Sequence, residues 1–480
     1  MKNRPLLSIS MLVSGKSKDM WKSIESIISI KERISTEIIL IDTGCTKEVH
    51  SRLEKKADKL LSFTWCDDFA KARNTGVEVA SGEWFMYLDD DEWFEDLEGL
   101  VEFFQSGMYK EYGYACYKVR NYIDPEGTQY SDSWVERLAR RTESLTFQSK
   151  IHEFLTGKEG EKYYLPLVAE HYGYAFASEE EKIAHFNRNE KLLLEMKKEE
   201  PHNLRWDMQL VQEYRTVELY DKIIDIGKSS YPKAMSAGLY RVSEVFLLGI
   251  VIAMLEESRY KEAFDVVNMV ISETNISLLA KTHAYLLASK LAYNSKDYIL
   301  AYNHSEHYIQ MIEYFTRFPR QRVEQEGYPF VGEALDEIRK KEGYSIAICS
   351  GLRNGNLVPL DKYMNCLKWN ERNVFVYETI AEELLLGIRN IGYAPEFYRI
   401  VKIISKQNAL KEYFILTISK STKRGEDNEI AKEIFSKVDE ANEIVHQILL
   451  LKKSGLERQA KTIIEKMKTL LPDDPEIMCL

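Results

Sequence analysis

Cysteine is scarce, with six in 480 residues and no two in a CxxC pair. Such a chain has no disulfide scaffold, and Cys45, Cys66, Cys116, Cys349, Cys366 and Cys479 are expected to be reduced and mostly packed. Long apolar runs are missing too, because no window of 18 apolar residues occurs. The longest apolar stretch, VFLLGIVIAMLEE from Val245, is too short to span a bilayer and reads as a core helix. The N-terminal LLSISMLVSG lacks a small-residue cleavage site, and Lys16 and Lys18 follow at once, so it reads as a buried strand and not a signal peptide. Both features lead us to expect no membrane span and a cytoplasmic location. Positive charge is in deficit: 65 Lys and Arg against 76 Asp and Glu give a net charge of −11. That argues against a nucleic-acid partner, which needs a basic surface. A Gly-rich phosphate loop is also absent, which disfavours a nucleotidyltransferase or another phosphoryl-transfer enzyme.

The chain is written in two styles. Residues 1 to about 175 alternate short apolar runs with helical stretches: Leu6–Val13, Glu37–Asp42 and Glu83–Asp91 read as strands, and Trp21–Ile30 as a helix. Strand and helix alternating at this pitch predict an α/β domain with a mostly parallel sheet and crossover helices. Ligands then sit beyond the carboxyl ends of the strands, where Ser14, Asp42 and Asp89–Asp91 fall. From about residue 180 strand signals vanish. Tyr260 and Tyr298 are 38 residues apart, as are Ala263 and Ala301, and Tyr220 lies 40 before Tyr260. The pattern returns at Gly455–Met467. A loose period of this kind predicts helical hairpins of the tetratricopeptide type. The segment from Arg317 to Lys362, with Pro319, Pro329 and Pro359, fits the period poorly. The expected organisation is therefore 1–178, 179–320 and 321–480.

Asp89, Asp90, Asp91 and Glu92 close an apolar run. Like charges so clustered repel unless something positive binds. A divalent cation with a diphosphate is one solution, since Mg²⁺ and Mn²⁺ both accept carboxylate and phosphate oxygens. Taken alone, the run reads as a solvated turn; placed after a buried strand in an α/β domain, it reads equally well as a binding site.

The order and spacing of several stretches carry a resemblance: EIILIDTGCT, FTWCDDFAKARNTGVEVASGEWFMYLDDDEW, VERLARR, FQSKIHEFL, EHYGY and KIAHFNRNEKLLLEMKKEEP. Over residues 6–203 the sequence resembles the family-2 inverting glycosyltransferases with the GT-A fold. More narrowly, it resembles the branch that adds tetratricopeptide-like helices, including bacterial peptide S-glycosyltransferases of the sublancin type. The resemblance implies a UDP-sugar donor and a bound Mn²⁺ or Mg²⁺. It implies that Asp42 contacts the base, although the same residue suits a turn before Gly44. It places Arg73 on the nucleotide. Asp68 and Asn74 belong to the same motif and either bind nucleotide-sugar or cap and orient the helix. Asp89 falls near the ribose and Asp91 on the metal, with Asp90 and Glu92 less sharply assigned around them. Glu153 is the implied base that deprotonates the acceptor, with Glu136 as the alternative. His152 either touches the diphosphate or orients Glu153, and His171 matches a metal or phosphate contact. Arg137, Arg140 and Arg141 form a basic cluster suited to the departing diphosphate. Two stretches depart from the family: Ser14-Gly15-Lys16 stands where Asn-Glu is usual, and Gly44-Cys45-Thr46-Lys47-Glu48 where Gly-Ser-Thr-Asp is.

The expected activity is transfer of a sugar from UDP to an acceptor, either a Cys, Ser or Thr side chain of a peptide or protein or a cell-surface saccharide. The competing reading is an interaction protein whose helical repeats do the work. The helices are expected to hold the acceptor or to form a homodimer.

Overall fold

The computed structural model describes residues 4–122, 127, 130–173, 178–323, 325, 328–367, 369, 379–380, 382–384, 395–421, 425–472 and 474–480. The chain divides into two compact units. One comprises residues 1–283 with 318–336, the other residues 284–317 with 337–480.

The first unit is built on an eight-stranded sheet. Its strands are β1 (Leu7–Val13), β2 (Thr36–Asp42), β3 (Lys59–Ser62), β4 (Trp84–Leu88), β5 (Glu92–Phe94), β6 (Tyr114–Tyr122), β7 (Tyr130–Arg140) and β10 (Lys162–His171). A small hairpin, β8 (Thr146–Gln148) with β9 (Phe154–Thr156), stands apart. The order across the sheet is β3-β2-β1-β4-β7-β6-β10-β5. β3, β2, β1 and β4 run parallel, as do β6 and β10; β7 is antiparallel to both its neighbours, and β5 to β10. This is the mostly parallel, GT-A-like sheet expected from the first style of sequence.

Burial on both faces explains the continuous apolar strands. In β4, Trp84, Met86 and Leu88 enter one core with Ile9, Met11 and Ile24. Phe85 and Tyr87 enter a second core with Ile39 and Phe147. The helices α1 (Met20–Ile28), α2 (Lys47–Glu54), α3 (Phe69–Val79) and α4 (Glu98–Gln105) join the strands. One expectation needs correcting. The strand ends at Leu88, and Asp89–Asp91 lie in a turn closed by the Glu92 N–H donating to the Asp89 carbonyl at 3.2 Å. A turn lets three successive carboxylates point in three directions, which a pleated strand would not allow.

Helices follow: α5 (Glu179–Glu199), α6 (Leu204–Thr216), α7 (Tyr220–Ser236), α8 (Tyr240–Glu256), α9 (Tyr260–Ser272), α10 (Leu278–Asn294) and α11 (Tyr298–Arg317). In the first unit, α5 packs on α6, α6 on α7, α7 on α8 and α8 on α9. Ser243–Leu255 of α8 are buried throughout, as the apolar stretch predicted. The repeat has a physical basis in its turns. Glu218, Gly238, Ser258, Lys296 and Gly455 all have positive φ, two residues before the next helix begins. The N–H after each bonds back five residues, as from Leu219 to the Tyr214 carbonyl and from Asp297 to Ala292. That is the six-to-one bond of a left-handed helix cap, and its recurrence sets the hairpins. The C-terminal all-helical region thus fits tetratricopeptide-like repeats.

Candidate active site

The polar ends of β1, β2 and β4 meet as expected. Asp42 closes β2. Its Oδ1 accepts from the Gly44 N–H at 2.9 Å and the Cys45 N–H at 2.7 Å, and its Oδ2 lies 2.6 Å from His50 Nδ1. Gly44 takes φ +139°, which lets the backbone fold over the carboxylate. Burial opposes the charge on Asp42. The His50 contact and the two backbone donors outweigh it and lower its pKa to about 2. His50, on α2, was not singled out in the sequence; it shares a helical turn with Thr46, the N-cap of that helix, and nothing in its spacing marked it.

Ser14 follows β1. Its N–H and hydroxyl donate to Asp90 Oδ2 at 2.9 and 3.0 Å. Asp90 is thereby fastened to the first strand. Burial raises its pKa to about 6 against those bonds. The Ser14-Gly15-Lys16 departure from the family pattern thus lies on the acidic turn itself.

Arg73 lies on α3 and is buried. Its Nη2 pairs with Asp89 Oδ1 and its Nε with Glu153 Oε1. Its guanidinium stands 4.9 Å from the Tyr87 ring centre. Arg137, on β7, donates from Nη2 to Asp89 Oδ2 at 2.8 Å and to Glu92 Oε1 at 2.9 Å, and it faces Tyr87 from 4.6 Å. Burial works against every charge here. Opposite charges at such range attract by about 4 kcal/mol even at an effective dielectric of 20, so the pairing wins for most of them. Arg73 and Arg137 are raised, and Asp89, flanked by both, is held far below the usual carboxylate range. Glu92 is the exception: burial and the neighbouring Asp89 push it up to about 6 despite Arg137.

Asp91 turns the other way, toward His171 at the end of β10, with Oδ2 and Nε2 3.5 Å apart. His171 Nδ1 sits 2.7 Å from Asn121 Oδ1 on β6. Nδ1–H donates there, and Nε2 faces Asp91; burial opposes a charge on the ring, but the Asp91 contact outweighs it and raises the His171 pKa. Loss of the Nε2 proton would free the lone pair a metal ligand needs. A Cβ on Gly173 would press into His171 Nε2 and lie 3.0 Å from Asp91 Oδ2. Glycine is what keeps the space between the two open. No group of three His, Cys, Asp or Glu able to hold an ion occurs among the described residues. One carboxylate and one imidazole suit a divalent ion that takes its remaining oxygens from water and a diphosphate.

Glu153 lies in the β8–β9 connection. One of its oxygens is bound to Arg73, and its side chain is 11% exposed. The alternative base, Glu136, is held by Lys158 and by Lys162 at 2.8 Å. Its pKa is lowered, burial being outweighed by the two lysines. His152 precedes Glu153 at φ +49° and faces Glu213 of α6. Asp68 caps α3, accepting from the Lys71 N–H at 2.9 Å, and Asn74 exchanges bonds with Phe147 at 2.7 and 3.0 Å. Among the described residues, Arg137 alone of the basic cluster reaches the acidic turn, while Arg140 pairs with Glu83. Arg140 donates to the carbonyls of Tyr109, Lys110 and Tyr112, and Arg141 to Gly82.

Residues 8–159 match the family model described as Glycosyl transferase family 2. They form a family-2 glycosyltransferase domain. The chain is 30% identical over 149 residues to a TPR repeat-containing protein of Synechococcus elongatus, covering 31% of this chain and 35% of that protein. It is 26% identical over 237 residues to the SPbeta prophage-derived glycosyltransferase SunS of Bacillus subtilis, covering 47% of this chain and 53% of that protein. Glycosyltransferase SunS of Bacillus phage SPbeta matches to the same extent. The chain thus spans between about a third and a half of the length of these relatives. The matched residues contain every site residue above except Lys162, His171, Gly173 and Glu213. No helix among the described residues is long and apolar enough to cross a membrane.

Proposed function

We propose that the site transfers a sugar from a UDP-sugar to an acceptor, with inversion at the anomeric carbon. The observation that carries the proposal is Arg73, which ties the turn of acids to Glu153 in one buried network. Asp42, with its carboxylate held by two backbone N–H groups and His50, accepts the imide N–H of uracil. Asp89, Asp90 and the two arginines line the path from ribose to diphosphate, and Asp68 and His152 border it. Asp91 and His171 would hold a divalent ion, Mn²⁺ or Mg²⁺, which when bound would supply positive charge beside the leaving diphosphate.

Glu153 keeps Oε2 for the acceptor while Oε1 is bound to Arg73. The acceptor oxygen or sulfur attacks the anomeric carbon, and its proton passes to Glu153. The bond to the UDP oxygen breaks on the opposite face, and UDP leaves with the electron pair. Arg73 and Arg137 stabilise that developing charge without reorganising, because both are already fixed.

The acceptor is a Cys, Ser or Thr side chain of a peptide or protein, or a saccharide. The protein acts in the cytoplasm, and its helices, read as 179–320 and 321–480 beside a catalytic domain of 1–178, hold the acceptor or a second copy of the chain. The test is a panel of UDP-sugars with and without Mn²⁺, followed by proton NMR from the first minutes, with water as the surrogate acceptor. The anomer formed first should be the inverted one, and only with the ion present. Retention, or no cleavage of any donor, would refute the proposal.

A further inference from the structure

The connection that carries Glu153 is conformationally costly. Within residues 149–153, Ser149 has φ +79° and His152 φ +49°. Neither is glycine, so both sit where an L side chain crowds the backbone. Such a segment keeps its shape only when its surroundings hold it. On one side the Phe69 N–H donates to the Lys150 carbonyl at 2.9 Å. On the other side the grip comes from α6. Arg205 Nη2 donates to the His152 carbonyl at 2.6 Å. The same guanidinium lies 4.1 Å from the ring centre of Phe154, the residue after Glu153. Eight residues on, Glu213 faces the other end of His152: its Oε1 lies 3.5 Å from Nε2, a buried nitrogen without a hydrogen-bond partner among the described residues. Glu213 is itself fixed, accepting from Asn189 Nδ2 of α5 at 2.9 Å.

We infer that Arg205 is a positioning residue for Glu153. It holds the His152 peptide in its left-handed conformation and so sets the angle at which the next carboxylate meets Arg73. Glu213 completes the hold from the imidazole side. The first helical hairpin, α5 with α6, is then part of the catalytic apparatus and not an appendage to it. The inference rests on Glu153 being the base. It concerns a residue beyond the family-2 domain, which ends at residue 159.

The test uses the full chain and compares UDP-sugar turnover in Arg205→Ala, Arg205→Lys and Glu153→Gln. A base displaced by about 1 Å costs on the order of 100-fold in rate. Arg205→Ala should therefore lose kcat by about 10- to 100-fold while donor KM stays at the parent value. Arg205→Lys should recover most of the rate, since one ammonium N–H can reach the same carbonyl. A merely structural role would lower the thermal midpoint and raise donor KM without a selective loss of kcat. Parent kcat in Arg205→Ala, or a loss of kcat matched by a rise in KM, overturns the inference. If Arg205→Ala does not fold, Glu213→Gln carries the test with the same two results. Glu153→Gln separates the layers: full turnover there refutes the base itself, whereas an inactive Glu153→Gln beside an unaffected Arg205→Ala refutes only the positioning.

Discussion

Arg73 and Glu153 stand 80 positions apart in the chain, and the Nε–H of one donates to Oε1 of the other. The other end of the same guanidinium pairs with Asp89. One side chain on α3 therefore connects the turn after β4 to the β8–β9 connection. A lysine cannot span both carboxylates, because it has one point charge and no fork. Arg73→Lys should keep the fold and lose about 100-fold or more in turnover. Steady-state UDP release beside a thermal melt checks both halves.

Arg137 and Arg140 lie three residues apart on β7 and should part company in experiments. Arg137→Ala leaves Asp89 with one cation and buried Glu92 with none of its own, a loss of about 3–5 kcal/mol in stability for a broken buried pair, and turnover falls with it. Arg140 holds three backbone carbonyls and Glu83. Arg140→Ala should cost about 1–2 kcal/mol and leave donor turnover per folded molecule unchanged. Urea unfolding with activity measured on the folded fraction distinguishes them.

Gly173→Ala should act on the ion and little else. Its methyl group enters the space between His171 Nε2 and Asp91 Oδ2. Mn²⁺ stimulation of turnover should disappear while nucleotide binding without metal persists, and Asp91→Asn should match it. A titration of Mn²⁺ by isothermal calorimetry, with UDP present, reads this directly. A parent-like titration in both variants would show that the ion binds elsewhere.

Glu37 supplies an acid-sensitive bond far from the chemistry. Burial opposes its charge, but Ser8 Oγ, Lys59 and the Ser81 N–H bring its pKa down from 4.5 to about 2. A folded-state value below the unfolded one means that the contribution is complete above about pH 4.5 and fades as the pH falls toward 2. The shift corresponds to about 3 kcal/mol. Glu37→Gln should be less stable at neutral pH by about 2 kcal/mol and show a flatter acid limb. Unfolding midpoints measured across that range decide it.

Much of this was legible in the chain. The first parallel strands are buried on both faces, so their apolar runs are continuous and easily read, and the acids at their ends had to be paired or to bind something positive. The second half of the sheet was harder. β7 and β6 carry Arg137, Glu136, Lys118 and Arg120 among their apolar residues, and those charges break the alternation a half-buried strand displays. Arg137 pairs with the acidic turn, while Lys118 and Arg120 pair with Asp132 and Glu136 with Lys158 and Lys162. The turn at Asp89–Asp91 was read as strand because an apolar run gives no sign of where pairing stops. His50 and Asn121 carry no motif of their own, and only the fold brings them beside Asp42 and His171; Gly173 stands in the EHYGY stretch, but its place beside the Asp91 carboxylate shows only in the fold. The hold of Arg205 on His152 was equally invisible, since a helix residue bonded to a distant carbonyl leaves no periodic trace.

The central claim is that Glu153 removes the acceptor proton while Arg73 keeps its carboxylate in place. Glu153→Gln tests it most directly, with donor binding by calorimetry and UDP release measured on the same preparation. A base acts only in the transition state. Donor affinity should therefore stay within about twofold and turnover fall by about 1,000-fold or more, within the range of general-base effects. Turnover at the parent rate, or a collapse of donor affinity with turnover at saturating donor intact, would contradict the account.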